Sequence, residues 1–175
     1  CALIKRGEME IAPQGKKRET LSLLESWSRD VSISRQNISW GIPLPFDKSQ
    51  TAYVWVDALI NYLTTIGYPQ EQYKIFWPNT LHIIGKDILK HHAIIWPSML
   101  LALNIAPPKK IFAHSFFTVD GQKMSKSLEN VITPYDLIKE FGVDGARYTL
   151  LTEISGDKDA DISWQKFRAR YDTDL

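Results

Sequence analysis

Leu81-His82-Ile83-Ile84-Gly85-Lys86-Asp87-Ile88 is the stretch whose reading decides the fold class. A short apolar run suited to a strand enters a glycine turn, and a long helical pattern follows. Along that pattern Ile88, His92, Ile95, Trp96 and Met99 share one face at a period of 3.6. Strand, glycine turn and helix are how α/β folds place ligands at the carboxyl edge of a parallel sheet, with helix N-terminal amides facing the ligand. Asp87 stands where a carboxylate either caps the helix or accepts sugar hydroxyls. A lone His92 on an apolar face reads first as a satisfied core histidine. Pro97 removes one backbone bond from the helix.

Upstream, Thr51 to Gly67 starts like a strand. The pattern then predicts a helix from about Trp55 to Ile66, closed by Gly67 at the position after the cap. Trp55, Ala58, Leu59, Tyr62 and Ile66 fall on one face. Such a stripe is ordinarily core, yet Trp and Tyr carry polar groups that need partners, and Ala58 between them leaves a hollow. Further back, residues 1–18 read as the tail of a preceding element followed by a loop. Thr20 is placed to cap a helix bearing Leu21, Leu24 and Trp27. Val31 to Arg35 alternates like a strand. Arg35 opens a loop through Trp40-Gly41-Ile42-Pro43-Leu44-Pro45, either simply anchored by its apolar residues or forming a pocket wall with Arg35 on a carboxylate.

Downstream, the apolar run Ile111 to Val119 reads as one strand ended by Asp120-Gly121. It delivers Lys123-Met124-Ser125-Lys126-Ser127, two ammonium groups and several small hydroxyls on a loop, a chemistry suited to a polyphosphate. Taken generically, such a pair of lysines is a solvated surface loop. Thr133-Pro134 starts a helix that ends at Gly142. Asp144 and Ser163 cap two more, the last carrying Trp164, Phe167 and Tyr171 on one face.

The 175 residues, 44% hydrophobic, suffice for a real core in one domain or slightly more. Lys+Arg 21 against Asp+Glu 20 leaves +1, so any nucleic-acid contact is local rather than driven by a global basic field. The single cysteine, Cys1, excludes an internal disulfide framework and a Cys-rich zinc site within these residues. No apolar run reaches membrane-spanning length, which makes a cytoplasmic setting without a membrane partner the expectation. A first residue that is not methionine and an opening without targeting character point to a chain that begins inside a longer protein.

Tyr53-Val54-Trp55-Val56-Asp57-Ala58, then Gly85-Lys86-Asp87-Ile88 with His92 and Trp96-Pro97, then Lys123 to Ser127, occur in an order and spacing that closely resemble the methionyl-tRNA synthetases, a family of class I aminoacyl-tRNA synthetases. Lys123 to Ser127 matches that class's KMSKS motif without a substitution. The other two stretches narrow the resemblance to the methionine enzymes, from about residue 19 onward. The implied fold is α/β: the second half of a Rossmann-like nucleotide-binding parallel sheet, a mainly helical stem-contact region, and the start of a helical anticodon-binding domain. The implied boundaries are 1–18 for the end of an inserted connective subdomain, 19–118 for the Rossmann-like half, 119–160 for the KMSKS loop and stem-contact region, and 161–175 for the anticodon domain.

The resemblance further implies a methionine pocket lined by Trp55, Ala58, Leu59, Tyr62, Ile88, His92 and Trp96. ATP would be bound by Gly85, Asp87, Lys123, Ser125 and Lys126, with Asp87 on the ribose and Lys126 and Lys123 as the catalytic cations on the triphosphate. Leu59 departs from members that carry proline there. Arg35 matches an arginine pairing with a carboxylate in the first half of the catalytic domain. The partners would be methionine, ATP with Mg²⁺ and tRNA(Met), with no metal site inside this chain. The HIGH-type motif of the family is absent, so the fragment alone is expected not to activate methionine. Two competing readings are a non-catalytic synthetase-like module that binds tRNA or a protein partner, and another class I nucleotidyl-transferring enzyme with a similar loop.

Overall fold

The computed structural model describes residues 1–28, 30–38, 40–153 and 157–175. It divides into two units, Cys1–Phe112 and Ala113–Leu175.

In the first unit a short helix, Ala2–Lys5 (α1), precedes a strand, Glu10–Ala12 (β1), and a helix, Gln14–Glu25 (α2). Residues 1–18, expected as the tail of a preceding element followed by a loop, thus hold α1, β1 and the start of α2. Their order comes from the far end of the unit, because β1 pairs in parallel with the strand around Ile111, with Ile11 opposite Ile111. Thr20 does not cap α2. It lies inside the helix, fully buried, and its hydroxyl donates to the Lys16 carbonyl at 2.9 Å.

Ser34–Gln36 (β2) and Gln50–Ala52 (β3) form an antiparallel ribbon in which Arg35 faces Thr51. Val54–Thr65 (α3) follows, and Gly67 takes φ 101 just beyond its end, the left-handed position that glycine adopts without a Cβ penalty. A short helix, Tyr73–Phe76 (α4), and a 3-10 turn, Trp77–Asn79, lead to the strand Leu81–Gly85 (β4). The long helix expected after Gly85 runs on from Lys86 to Ala102 but changes its winding: a 3-10 turn at Lys86–Ile88, a π-helical turn at His91–Ile95, and the α-helix Trp96–Ala102 (α5), with the joining residues Leu89, Lys90, Ile95 and Trp96 all in right-handed helical conformation. Pro97 lies just past the π-helical turn: without an N–H it leaves the Ala93 carbonyl without its donor four residues on, so the ladder is loosened there and the helix continues.

The strand Lys110–His114 (β5) lies between β1 and β4 in a three-stranded sheet, the β1–β5 pair being parallel. Leu59 and Leu63 of α3 and Trp96 and Leu100 of α5 pack with Trp77 and Ile105 into a core. Strand, glycine turn and helix thus meet at the carboxyl end of β4, as Leu81 to Ile88 predicted.

The expected single strand from Ile111 to Val119 breaks after His114. Phe117–Val119 (β6) belongs to a different sheet from β5, pairing antiparallel with Gln122–Lys123 (β7) and in parallel with Ala160–Ile162 (β8). Between β7 and β8 runs the helical stretch Pro134–Glu153 (α6), interrupted at Gly142 by φ 71 and ψ 175, where the first of the two expected helices ends. Its start is a reciprocal cap: Thr133 N donates to Asp136 Oδ2 at 3.1 Å and Asp136 N to Thr133 Oγ1 at 3.2 Å. Trp164–Asp174 (α7) is capped by Ser163, whose hydroxyl accepts from Lys166 N. Leu137, Phe141, Ala146, Ile162 and Phe167 form the second unit's core. Among the described residues no helix is long and apolar enough to cross a membrane.

Candidate functional site

The first unit gathers a cluster of aromatic and imidazole rings where α3 packs on the segment after β4. The Tyr62 hydroxyl donates to His92 Nε2 at 2.9 Å, and His92 Nδ1 donates to the Ile88 carbonyl at 3.0 Å. A carbonyl only accepts, so the proton of His92 sits on Nδ1 and Nε2 presents its lone pair. The Trp96 indole donates to His82 Nε2 at 3.3 Å. Tyr62 lies against both imidazoles, 4.5 Å from the His82 ring centre and 5.7 Å from that of His92. Trp55 stacks on His91 at 4.1 Å and meets His92 edge-on at 6.1 Å.

Burial sets the charge state. His82 is pushed down to about 4, first by its burial and then by neighbouring His92. Burial also lowers His92, outweighing the Ile88 carbonyl that favours its protonated form. His91 is lowered by burial, then by His92 and Lys90. Burial raises the Tyr62 phenol. At neutral pH the cluster is uncharged, which suits an apolar, polarisable ligand group rather than an ion.

The residues expected to line a pocket occupy distinct depths. Tyr62 is partly exposed and lines an open depression of about 440 Å³ with Asn61, Ile66, Trp77 and His82. Trp55 lines a separate one of about 480 Å³ with Trp27 and Tyr53. Ala58 is exposed and Ile88 half-buried. Leu59, His92 and Trp96 are buried beneath, with Leu59 and Trp96 wholly in the core. Gly85 ends β4 and stands before the 3-10 turn in extended conformation without a side-chain cap, and the Asp87 side chain is exposed. Arg35 stacks 3.7 Å from the Tyr53 ring centre and donates to its neighbour's carbonyl, Ser34 O, at 2.8 Å.

In the second unit Lys123 ends β7, with its ammonium 5.9 Å from the Phe116 ring centre, and Lys126 opens a 3-10 turn over Lys126–Leu128. Asn130 closes the loop, accepting from Ser125 N at 2.8 Å and donating to Lys123 O at 3.3 Å. The Ser125 and Ser127 hydroxyls are 2.7 Å apart. Both lysines are exposed, and among the described residues no carboxylate lies within ion-pair distance of either. Two ammonium groups without a carboxylate partner thus sit on a backbone held by side-chain bonds, a chemistry suited to an anion. Among the described residues no group of three or more His, Cys, Asp or Glu is arranged to hold a metal.

Reasoning from sequence passed over His82, His91 and Asp161. The signal for His82 was present: strand alternation puts it on the same face as Ile84, and both are buried. His91 and Asp161 gave no comparable signal, since their partners come from elements distant in sequence.

A nucleotide-type α/β edge in one unit and a KMSKS loop in the other define a class I aminoacyl-tRNA synthetase. The comparison with known families narrows this. Residues 2–175 match the family model described as tRNA synthetases class I (M), and the chain belongs to that family. It is 49% identical over 173 residues to the mitochondrial methionine–tRNA ligase of Bos taurus, covering 97% of this chain and 29% of the relative. With the methionine–tRNA ligase of Rickettsia typhi it shares 44% identity, covering 94% of this chain and 33% of the relative. The structure of Mycobacterium tuberculosis methionyl-tRNA synthetase in complex with methionyl-adenylate superposes with a TM-score of 0.89 at 41% identity, covering 99% of this chain and 35% of that one. The chain thus spans about a third of the length of the relatives it matches. The match begins at residue 2, earlier than the region near residue 19 where the resemblance was first legible.

Proposed function

We propose that this chain is the part of a methionine–tRNA ligase that holds the methionine side chain and the ATP triphosphate. The observation that carries the reading is the uncharged cluster of Trp55, Tyr62, His92 and Trp96, joined through the 2.9 Å Tyr62–His92 bond. A methionine side chain is flexible and apolar, and its thioether packs well against aromatic edges. The Tyr62 proton and both ring nitrogens of His92 are already engaged with each other and with Ile88. The thioether is therefore selected by aromatic packing unless it displaces one of these bonds. A purely aliphatic pocket would reject leucine poorly; rings bearing fixed polar groups do better.

The reaction is attack of the methionine carboxylate on the α-phosphorus of ATP, giving methionyl-adenylate and pyrophosphate, followed by transfer to the terminal ribose of tRNA(Met). No protein nucleophile is required. Lys123 and Lys126 stabilise charge growing on the pyrophosphate of the Mg²⁺–ATP substrate, while Gly85 and Asp87 hold the ribose end. Arg35 pairs with a carboxylate contributed from outside this chain. Residues 119–160 serve as the KMSKS loop and stem-contact region, and 161–175 begin the anticodon domain. Because no HIGH-type motif lies within it, the 175-residue chain alone does not activate methionine. A non-catalytic binding module would have no use for both an unneutralised lysine loop and a neutral aromatic cluster. Methionine-dependent exchange of pyrophosphate into ATP by the complete gene product tests the reading, and exchange driven by a different amino acid would refute it.

A further inference from the structure

The turn that delivers the lysine loop is held from outside. Val119 and Gln122 face each other across the β6–β7 hairpin, and the two residues between them, Asp120 and Gly121, take φ 52 and φ 71. Two consecutive positive φ values are the type I′ turn, which Asp-Gly favours. A hairpin this short, with a two-residue second strand, is marginal on its own. One carboxylate oxygen reaches it from β8. Asp161 Oδ1 accepts from Gly121 N at 2.7 Å and from Thr118 Oγ1 at 2.9 Å.

The anchor itself is fixed on both sides. Asp161 stands opposite Thr118 in the parallel β6–β8 pair, and its neighbour Ile162 is buried in the core of the unit. Lys166, in the first turn of α7, donates to the Asp161 carbonyl at 2.5 Å and lies 3.4 Å from Oδ2. The carboxyl is held below its usual range by the Gly121 amide, then the Thr118 hydroxyl, with a smaller contribution from Lys166.

We propose that Asp161 is a positioning residue for the nucleotide chemistry: by holding Gly121 and Thr118 through one oxygen, it sets the place from which Lys123 and Lys126 meet the triphosphate. This rests on the reading of the loop as triphosphate-binding. Asp161 touches no substrate and acts only through the turn.

The test compares Asp161→Ala with Asp161→Asn in the complete gene product. Asn keeps an acceptor oxygen for both donors and loses the charge, whereas Ala loses both. Since a small displacement of catalytic groups costs one to two orders of magnitude, Asp161→Ala is expected to lower kcat of pyrophosphate exchange about tenfold or more, with the methionine KM within about twofold. Asp161→Asn is expected to recover most of that loss. Independently of activity, tryptic cleavage after Lys123 and Lys126, followed by mass spectrometry, is expected to accelerate about fivefold or more in Asp161→Ala, while cleavage after Lys16 stays constant, because local opening governs the rate. If Asp161→Ala does not fold, Thr118→Val removes one donor, keeps the carboxylate and is expected to show the same loop-specific pattern more weakly. Unchanged cleavage at the two lysines, equal impairment by Asn and Ala, or a parallel rise in the methionine KM would overturn the proposal. Absence of exchange in the unaltered protein would remove the activity assigned above, and the tryptic comparison would still decide the role of Asp161.

Discussion

The Tyr62 hydroxyl donates to His92 Nε2 across 2.9 Å, and this bond ties helix α3 to the π-helical turn that follows β4. Its partner is almost completely buried, so the bond has no ready substitute in water. Tyr62→Phe is expected to leave His92 Nε2 without a donor at a cost of about 1–3 kcal/mol. Urea denaturation should show that loss, and kcat/KM for methionine should fall by a similar factor with the ATP KM unchanged.

Acid should weaken the first unit through its imidazoles. Burial pushes His82 down to about 4 in the folded chain from an ordinary value of 6.5, so the unfolded chain binds a proton between those values that the folded chain refuses. The stabilisation is complete above pH 6.5 and is lost as pH falls toward about 4. The drop from 6.5 to about 4 corresponds to roughly 3 kcal/mol. Thermal unfolding measured from pH 7.5 to 4.5 should show this slope, and His82→Gln should flatten it.

Lys126→Ala removes a cation expected on the triphosphate. By the scale of other lost electrostatic donors it should cost on the order of 3 kcal/mol in the transition state of adenylate formation. Methionine binding, read by tryptophan fluorescence, should be untouched. Equal loss of methionine binding and adenylate formation would sink the assignment of this lysine.

Gly145→Ala tests the packing of α6 on α7. A methyl group there would lie 2.7 Å from Tyr171 Cε2, closer than such contacts are found. Alanine is the better helix former, yet overpacking should prevail and destabilise by about 1–3 kcal/mol. A rise in melting temperature would show that Tyr171 yields freely.

Locally encoded elements were legible in the residues. The helix carrying Trp55 to Tyr62 stops before Gly67, the Thr133–Pro134 start is a reciprocal cap, and Ser163 caps α7, each through neighbours a few residues apart. Features that depend on distant pairing were not legible. Ile11 becomes part of a strand because Ile111 lies beside it, and Ile111 to Val119 breaks because its two ends join different sheets. The carboxylate that holds the Asp120–Gly121 turn comes from Asp161, forty residues on from Gly121 by chain number, and no local pattern announces it. The change of winding to a π-helical turn at His91–Ile95, inside the helix read from Ile88 to Met99, was likewise not legible, and it is there that His91 meets Trp55.

On the proposed reading, the neutral ring cluster selects methionine for activation by ATP. The most direct measurement is isotope exchange between pyrophosphate and ATP by the complete gene product, with each amino acid supplied in turn. Exchange that depends on methionine, with leucine far behind it, is the predicted result. Exchange with leucine or another amino acid in preference to methionine, or none with any of them, would contradict it.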